Sequence, residues 1–243
     1  MSLQLQEHIE KDGFRLRGLA SSRIDGFSDA VFAFALTLLV VSLEVPKTFA
    51  QLQESLRGFV PFAIVFYLLM QVWWAHYQYF RRFGTHDEWT IRLNSMLLFV
   101  VLFYVYPLKF LFSFITDLMM GLPQHAFDND GQLRQLMMLY GVGYAAIHFL
   151  VAALYCNGFR QRKHLELNDL EVRLARGYIT RSAGIGAIGV LACLVAFILP
   201  ANLAGSSGYT YLLVWLFLRL HDWRTRKLVK KQTALHELTP SSH

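Results

Sequence analysis

Residues 23–46 read Arg23-Ile-Asp-Gly-Phe-Ser-Asp-Ala-Val-Phe-Ala-Phe-Ala-Leu-Thr-Leu-Leu-Val-Val-Ser-Leu-Glu-Val-Pro46. A charged and polar beginning leads directly into an apolar run, residues 30–43, which only Thr37 and Ser42 interrupt. As a helix rising about 1.5 Å per residue, residues 27–45 are about 28 Å long, enough to cross the hydrocarbon core of a bilayer. The stretch lacks the polar face of an amphipathic soluble helix. It therefore predicts a membrane-spanning helix.

The whole chain has the composition of a membrane protein. It is 55% hydrophobic and 16% charged, whereas soluble domains are about 25% charged. Further apolar stretches follow the first at roughly 58–79, 93–116, 136–156, 178–199 and 203–220. The last contains Gly205, Ser206, Ser207 and Gly208, which leaves its start open. We predict an all-α membrane protein with six transmembrane helices.

The distribution of Lys and Arg predicts how these helices are oriented. Of the 23 basic residues, 19 fall in the N-terminal arm, the loops after helices two and four, and the tail. Lys47, Arg57, Lys109 and Arg134 fall on the other side. Because basic residues concentrate on the cytoplasmic side, both termini are predicted to be cytoplasmic, in agreement with six spans. The net charge of +6 thus reflects topology and does not indicate nucleic-acid binding.

Domain organisation follows from the same pattern. We predict a cytoplasmic N-terminal arm over residues 1–22, one six-helix transmembrane domain over residues 23–231, and a disordered tail over residues 232–243. Nothing in the sequence indicates a catalytic residue, a metal site or a cofactor. Cys156 and Cys193 lie in separate predicted helices, and His76 and His86 are too isolated for metal-ligand spacing.

The start of the first helix resembles a known family. Arg23, Phe27, Ser28 and Asp29 reproduce the R-x-x-x-F-S-D signature of the transmembrane-protein-175 family of potassium channels, and the Ala-Leu-Thr-Leu-Leu stretch that follows is similar to that family's first helix. Bacterial members have one six-helix unit per chain and assemble as tetramers. The resemblance implies a modestly potassium-selective cation channel in the inner (plasma) membrane, a homotetramer in the lipid bilayer. Monovalent cations are its implied partners, with potassium as the permeant ion and no cofactor.

The resemblance also implies which residues line the pore. In that family helix one of each subunit surrounds the central pore, and the motif register places Phe34 at an apolar constriction, with Leu38 and Val41 at further apolar layers. Thr37 falls at the position that contributes to potassium preference. The family usually has Ile or Leu where Phe34 stands, so Leu36 is the alternative gate residue. In a second interpretation of Thr37, its hydroxyl bonds back to the carbonyl four residues earlier.

The polar motif residues have two interpretations. In one, Ser28 and Asp29 cap the helix N-terminus and Arg23 anchors it at the cytoplasmic surface. In the other, they join an interhelical network, because helix two ends and helix three begins at the same membrane level and buried ionisable groups need partners. We favour a structural network. Its predicted members are Arg23, Phe27, Ser28, Asp29, Trp73, Trp74, His76, Arg92 and Asn94.

Two other functions compete with a channel. A secondary transporter of a cation or small solute is the alternative; it would normally need an ionisable residue near the midplane or a broken helix, whereas Glu44 and Asp117 fall near outer helix ends. A membrane enzyme would need clustered His or acidic residues within the bilayer, and the sequence shows no such cluster. We therefore do not expect an enzyme.

Overall fold

The computed structural model describes residues 9–10, 12–41, 46–121, 127 and 129–238, and helices account for most of them. Within these residues β-structure is limited to one bridge between Ile9 and Arg15. The helices, in chain order, are α1 (Arg23–Val41), α2 (Phe49–Arg57), α3 (Phe59–Phe83), α4 (Glu88–Met119), α5 (Asp130–Arg160), α6 (Asp169–Ile198), a 3₁₀ helix (Ala201–Tyr211) and α7 (Leu212–Leu238).

The helices confirm an all-α membrane protein. As far as the structure describes them, all six predicted apolar stretches fall on helices. Four helical stretches are long and apolar enough to cross a membrane: Phe49–Phe83, Glu88–Met119, Gly131–Arg160 and Asp169–Ile198. Among the described residues α1 and α7 are not in this group of four.

Three features differ from the sequence-based expectation. The sixth apolar stretch begins as an 11-residue 3₁₀ helix, because Gly and Ser at 205–208 favour the α-helix poorly. The short helix α2 was not predicted, since its sequence, Phe-Ala-Gln-Leu-Gln-Glu-Ser-Leu-Arg, is too polar to stand out. α7 continues to Leu238 without Gly or Pro, so residues 232–238 are helical where disorder was expected. Residues 239–243 lie outside the described residues.

One buried apolar cluster connects the long helices. Phe32 of α1, Val65 of α3, Leu97 of α4, Leu154 of α5 and Leu174 of α6 all belong to it. Through this cluster α1 packs against both α3 and α4. Because lipid tails are as apolar as these side chains, close van der Waals packing is what holds such helices together.

Close approach of α5 and α6 depends on two glycines, Gly141 and Gly189. A Cβ atom at Gly141 would lie 2.7 Å from the Cβ atom of Cys193, and one at Gly189 would lie 3.0 Å from the backbone nitrogen of Ala145. Any larger side chain would push the helices apart. The Tyr-Gly-Val-Gly-Tyr stretch 140–144 thus serves helix packing.

Asp87 connects the start of α4 to the end of α5. Its carboxylate accepts hydrogen bonds from the hydroxyl of Thr90 at 2.6 Å and from the side-chain amides of Asn157 at 3.1 Å and Gln161 at 2.9 Å. It also accepts from the backbone N–H of Trp89, which caps the helix. Although partial burial raises its pKa, the hydrogen bonds from Thr90, Gln161 and Asn157 outweigh this and lower the pKa of Asp87 to about 2.

Asp87 therefore predicts a pH dependence of stability. Because its pKa is lower in the folded protein than in the unfolded chain, its contribution is complete above about pH 4 and is lost as the pH falls towards 2. We expect wild type to melt a few degrees above Asp87→Asn at pH 6, and this difference to shrink towards zero near pH 2. Melting curves of both proteins in the same detergent test it, and a difference that stays constant down to pH 2 would contradict it.

Candidate pore-lining helix and its anchoring network

α1 begins with a cap formed by Ser22 and Asp25, whereas one of the two interpretations of the motif has Ser28 and Asp29 as the capping residues. The backbone N–H of Ser22 donates to Oδ2 of Asp25 at 2.9 Å, and the backbone N–H of Asp25 donates to Oγ of Ser22 at 3.3 Å. This reciprocal arrangement is a capping box. Ser28 and Asp29 lie more than a turn further along the helix, so they are free to bond to other helices.

α1 has one fully buried face and one exposed face. Ser28, Phe32, Ala35 and Leu39 follow each other at intervals of three and four residues, and each is at most 3% exposed. This spacing is that of one helix face. The opposite side carries Phe27, Ala30, Phe34 and Thr37, all exposed. A protomer therefore presents an α1 surface of aromatic, small and hydroxyl side chains that no other part of the described chain covers.

The predicted pore residues differ in how they sit on this helix. At about 100° per residue, Thr37 lies about 180° from Ser28 and Phe34 about 120° from it, whereas Leu36 and Leu38 each lie about 80° away. Phe34 is 57% exposed. Leu36 is partly buried against the core, and the half-buried Leu38 lines a small cleft beside α4. The side chain of Val41 lies outside the described residues.

The hydroxyl of Thr37 donates to the carbonyl of Ala33 at 2.7 Å. This is the back-bonded geometry that the sequence left open as a second interpretation. The bond uses only the proton of the hydroxyl. Its oxygen lone pairs remain available on the exposed face of α1, so back-bonding and cation contact are compatible.

A chain of hydrogen bonds joins α1, α3 and α4 inside the protomer. The hydroxyl of Ser28 donates to the carbonyl of Ile24, and Nδ2 of Asn94 donates to Oγ of Ser28 at 2.9 Å. Oδ1 of Asn94 lies 2.7 Å from Nε2 of His76. Because this oxygen only accepts, Nε2 carries the proton. All three side chains are at most 2% exposed, so this chain fixes where α1 sits against its neighbours.

Asp29 has a different partner from Ser28. Its Oδ1 accepts a hydrogen bond of 2.8 Å from the indole N–H of Trp73, while Trp74 and Trp73 both stack on Tyr77. Asp29 is exposed and borders a cavity of about 220 Å³ together with Asp25 and His76. Its carboxylate is therefore paired with a neutral donor and has access to water.

Four predicted network members form none of these hydrogen bonds within one protomer. Trp74 stacks on Tyr77 instead. Arg23 is exposed, and among the described residues no hydrogen bond or ion pair joins it to Asp29, Trp73 or His76. Phe27 is 64% exposed. Arg92 pairs with Glu88 at 3.1 Å on its own helix and lies over the ring of Trp89.

A further anchoring cluster, missed by the sequence analysis, holds the N-terminal arm. The carboxylate of Glu171, on α6, is completely buried and pairs with Arg15 at 3.1 Å and with Arg17 at 3.0 Å. Both oxygens of the carboxylate are bonded, and the backbone N–H groups of Arg15 and Asn168 donate to it as well. In the sequence, Arg15 and Arg17 count only among the basic residues of the predicted cytoplasmic N-terminal arm.

Arg82, at the end of α3, forms the second half of this cluster. Its side chain is 4% exposed and contacts Glu10 at 2.5 Å and Asp12 at 3.0 Å. Its guanidinium also lies 4.0 Å from the ring centre of Tyr178 on α6. The arm is thus fastened to the ends of α3 and α6 a few residues before α1 begins.

The close approach of the arm requires glycine at the end of α3. Gly84 has a positive φ of 59°, and a Cβ atom there would lie 3.0 Å from the carbonyl of Arg17. The backbone N–H groups of Arg17 and Gly18 both donate to the carbonyl of Arg81. The left-handed turn therefore ends α3 at the point where the N-terminal arm packs against it.

Asn94 offers a direct test of the anchoring chain. Asn94→Leu keeps the volume but leaves the N–H of the buried His76 without an acceptor, which is expected to cost about 1–3 kcal/mol. Thermal melting in detergent measures the loss. The exposed neighbour Ser95 is the control, since Ser95→Ala should change stability by less than about 0.5 kcal/mol. Equal melting temperatures for the two variants would argue against a structural chain.

Known proteins are similar to this chain in the region that contains α1 and the helices packed against it. The family model described as "Endosomal/lysosomal potassium channel TMEM175" matches residues 23–104, which contain α1–α3 and half of α4. A protein described as "Potassium channel" from Marivirga tractuosa is 35% identical over 232 residues, covering 89% of this chain and 94% of the relative. The chain belongs to the TMEM175 family. A potassium channel from Streptomyces collinus, 28% identical over 103 residues, matches 40% of this chain and 50% of its own length.

Solved TMEM175 structures show the same similarity. A crystal structure of a variant of the potassium channel MtTMEM175, bound to a nanobody–MBP fusion protein, superposes with a TM-score of 0.80 at 33% identity. It covers 90% of this chain and 99% of that one. A lysosomal potassium-selective channel TMEM175 homolog from Chamaesiphon minutus shares the fold, with a TM-score of 0.52 at 23% identity over 82% of this chain and 96% of that one. The TMEM175 family and these relatives are ion channels and not enzymes.

Proposed function

We propose that this protein is a modestly potassium-selective cation channel, a homotetramer in which the exposed face of α1 lines a central pore. The observation that carries the proposal is the division of α1 into a buried face, held by α3 and α4, and an opposite face that carries Phe34 and Thr37. One protomer supplies one such helix, which cannot enclose a path for ions. Four copies around a rotation axis can.

Phe34 is proposed as the constriction. A ring of four phenylalanine side chains excludes water, and an ion passing through it must either shed its hydration or wait until the ring dilates. The position of Phe34 on the exposed side favours it over Leu36, which packs partly into the protomer. Leu38 and Val41 are proposed as further apolar layers of the same wall.

Thr37 is proposed as the residue behind the preference for potassium. It lies about one helical turn, roughly 5 Å, beyond Phe34. Because its hydroxyl proton is bonded to the carbonyl of Ala33, four Thr37 oxygens would turn lone pairs to a partly dehydrated cation in the pore. We further propose six spans in the inner membrane with cytoplasmic termini. α1 and the last helical stretch would add two spans to the four helical stretches that are long and apolar enough by themselves.

Recordings from the purified protein in a planar bilayer test the channel against a transporter. With potassium on one side and sodium on the other, a channel gives discrete unitary steps and a reversal potential displaced towards the potassium equilibrium potential. A transporter moves ions without unitary steps. Bilayers that received heat-denatured protein are the control, and their silence excludes leak caused by detergent.

Substitution of Thr37 tests the selectivity assignment in the same recordings. Thr37→Ala removes the hydroxyl oxygens and is expected to lower the potassium-to-sodium permeability ratio several-fold while the pore still conducts. Thr37→Ser keeps the hydroxyl and should retain most of the preference. If the alanine and serine variants had the same ratio as wild type, the preference would arise elsewhere.

A further inference from the structure

α7 has two faces, and one of them packs against α6. Phe217 packs its ring against Gly184 of α6, and Nε2 of His221 lies 3.0 Å from the carbonyl of Gly177, to which it donates. Phe217, His221 and the next residue of this face, Thr225, are all half buried. At about 100° per residue these three lie within one narrow face of the helix.

The other face of α7 carries alternating aromatic and basic side chains. Trp215, Arg219, Trp223 and Lys227 follow at intervals of four residues, and all four are exposed. The guanidinium of Arg219 lies 4.8 Å from the ring centre of Trp215, and Nζ of Lys227 lies 5.1 Å from that of Trp223. Among the described residues these two cations form no ion pair with a carboxylate. We call these four residues the Trp/basic face.

The composition of α7 changes from apolar to basic along its length, as expected for a helix that passes from a membrane into water. Its first turns expose Leu212, Leu216 and Leu220, side chains suited to acyl chains. The Trp/basic face begins within this apolar part and continues beyond it. Between residues 219 and 231 the sequence has six basic residues, Arg219, Arg224, Arg226, Lys227, Lys230 and Lys231, against one acidic residue, Asp222.

We propose that the Trp/basic face binds the phosphate groups of anionic phospholipids in the leaflet where α7 leaves the membrane. Tryptophan rings settle at the level of the headgroups, where one part of the ring is apolar and the N–H is wet. A cation stacked on such a ring keeps its N–H donors directed outward for a phosphate oxygen. The exposed leucines beside the start of the face and the basic residues beside and beyond its end fit a lipid and do not fit a soluble anion.

The effect expected from each cation follows from the attraction of basic residues to an anionic leaflet. Each Lys or Arg near the surface strengthens binding by roughly a factor of five. Replacing both Arg219 and Lys227 by glutamine is therefore expected to weaken the retention of an anionic phospholipid roughly 10- to 30-fold. Both side chains are exposed, so the fold and the packing of Phe217 and His221 should persist.

Native mass spectrometry of the full-length protein tests the proposal without measuring currents, so its failure is distinct from failure of the channel function. The probes are phosphatidylglycerol and phosphatidylcholine with identical acyl chains. Wild type is expected to retain the anionic lipid preferentially, and Arg219→Gln/Lys227→Gln to lose most of this preference. Lys47→Gln/Arg57→Gln removes the same two charges from exposed positions at the opposite end and should change nothing. Lys227→Gln alone provides a milder variant, with roughly a fivefold loss.

Four outcomes would overturn the proposal. The first is no preference for phosphatidylglycerol in wild type, and the second is an equal loss in the Arg219/Lys227 and Lys47/Arg57 variants. The third is displacement of the lipid by added inorganic phosphate, which would indicate a site for a free anion. The fourth is a lower oligomeric mass in the Arg219→Gln/Lys227→Gln variant with lipid retention unchanged, which would assign the face to contacts between copies of the chain.

Discussion

Replacing Phe34 by serine is expected to raise the basal conductance of the channel about tenfold or more. Four phenylalanine rings keep the proposed constriction dry, and removing one apolar ring layer lowers the barrier by at least about 1.4 kcal/mol, which is a factor of ten in rate. The side chain is largely exposed in the protomer, so the substitution leaves the core intact. Macroscopic current at equal protein density measures the effect.

Leu36→Ser is the matched control for this prediction. Leu36 lies two residues away and packs partly against the core, so the same polar replacement there should destabilise the protomer slightly and leave basal conductance unchanged. If Leu36→Ser raised the conductance and Phe34→Ser did not, the alternative register of α1 would be correct. If neither did, α1 would not form the constriction.

Replacing both arginines of the N-terminal arm, Arg15 and Arg17, is expected to lower the stability of the protein more than any other substitution proposed above. Arg15→Gln/Arg17→Gln leaves the carboxylate of Glu171, which is completely buried, without a counter-charge. Removing one partner of a buried ion pair lowers the free energy of unfolding by about 3–5 kcal/mol. For a chain of this size, that loss corresponds to a fall of roughly 10 °C in melting temperature. Because the arm leads directly into α1, the variant is also expected to lose assembly at temperatures where wild type is intact.

Two controls separate this effect from a change in net charge. Arg160→Gln/Arg173→Gln removes two exposed arginines and should shift the melting temperature very little. Glu171→Gln should cost less than the arginine pair, about 1–3 kcal/mol, because Arg15 is half exposed and can turn to water. A double arginine variant that melts with wild type would show that the cluster does not hold the arm.

The helices were predictable because their signal is local. A run of apolar residues long enough to cross a bilayer is visible in the sequence alone. α2 and the 3₁₀ helix were not predictable on this basis, since their residues are polar or flexible and their conformation depends on neighbouring segments. The helical end of α7 was missed because residues 232–238 are a short, mostly polar stretch near the end of the chain, where disorder is common.

The site was predictable in part. The common membrane level of Ser28, His76 and Asn94 was sufficient to group them, and the structure joins them by hydrogen bonds. That Asp29 bonds to Trp73 and not to Arg23 depends on rotamers that spacing does not determine. The pairing of Arg17 with Glu171 spans 154 residues, and no local pattern indicates a contact between positions so far apart.

Cysteine modification during recording tests most directly whether the exposed face of α1 lines the pore. In a background of Cys156→Ser and Cys193→Ser, a cysteine is placed either at Thr37, on the exposed face, or at Ala35, which is completely buried. A positively charged thiol reagent is then applied to the open channel. We predict that current through Thr37→Cys falls sharply while current through Ala35→Cys is unaffected. Block of Ala35→Cys with Thr37→Cys unaffected, or no block of either, would contradict it.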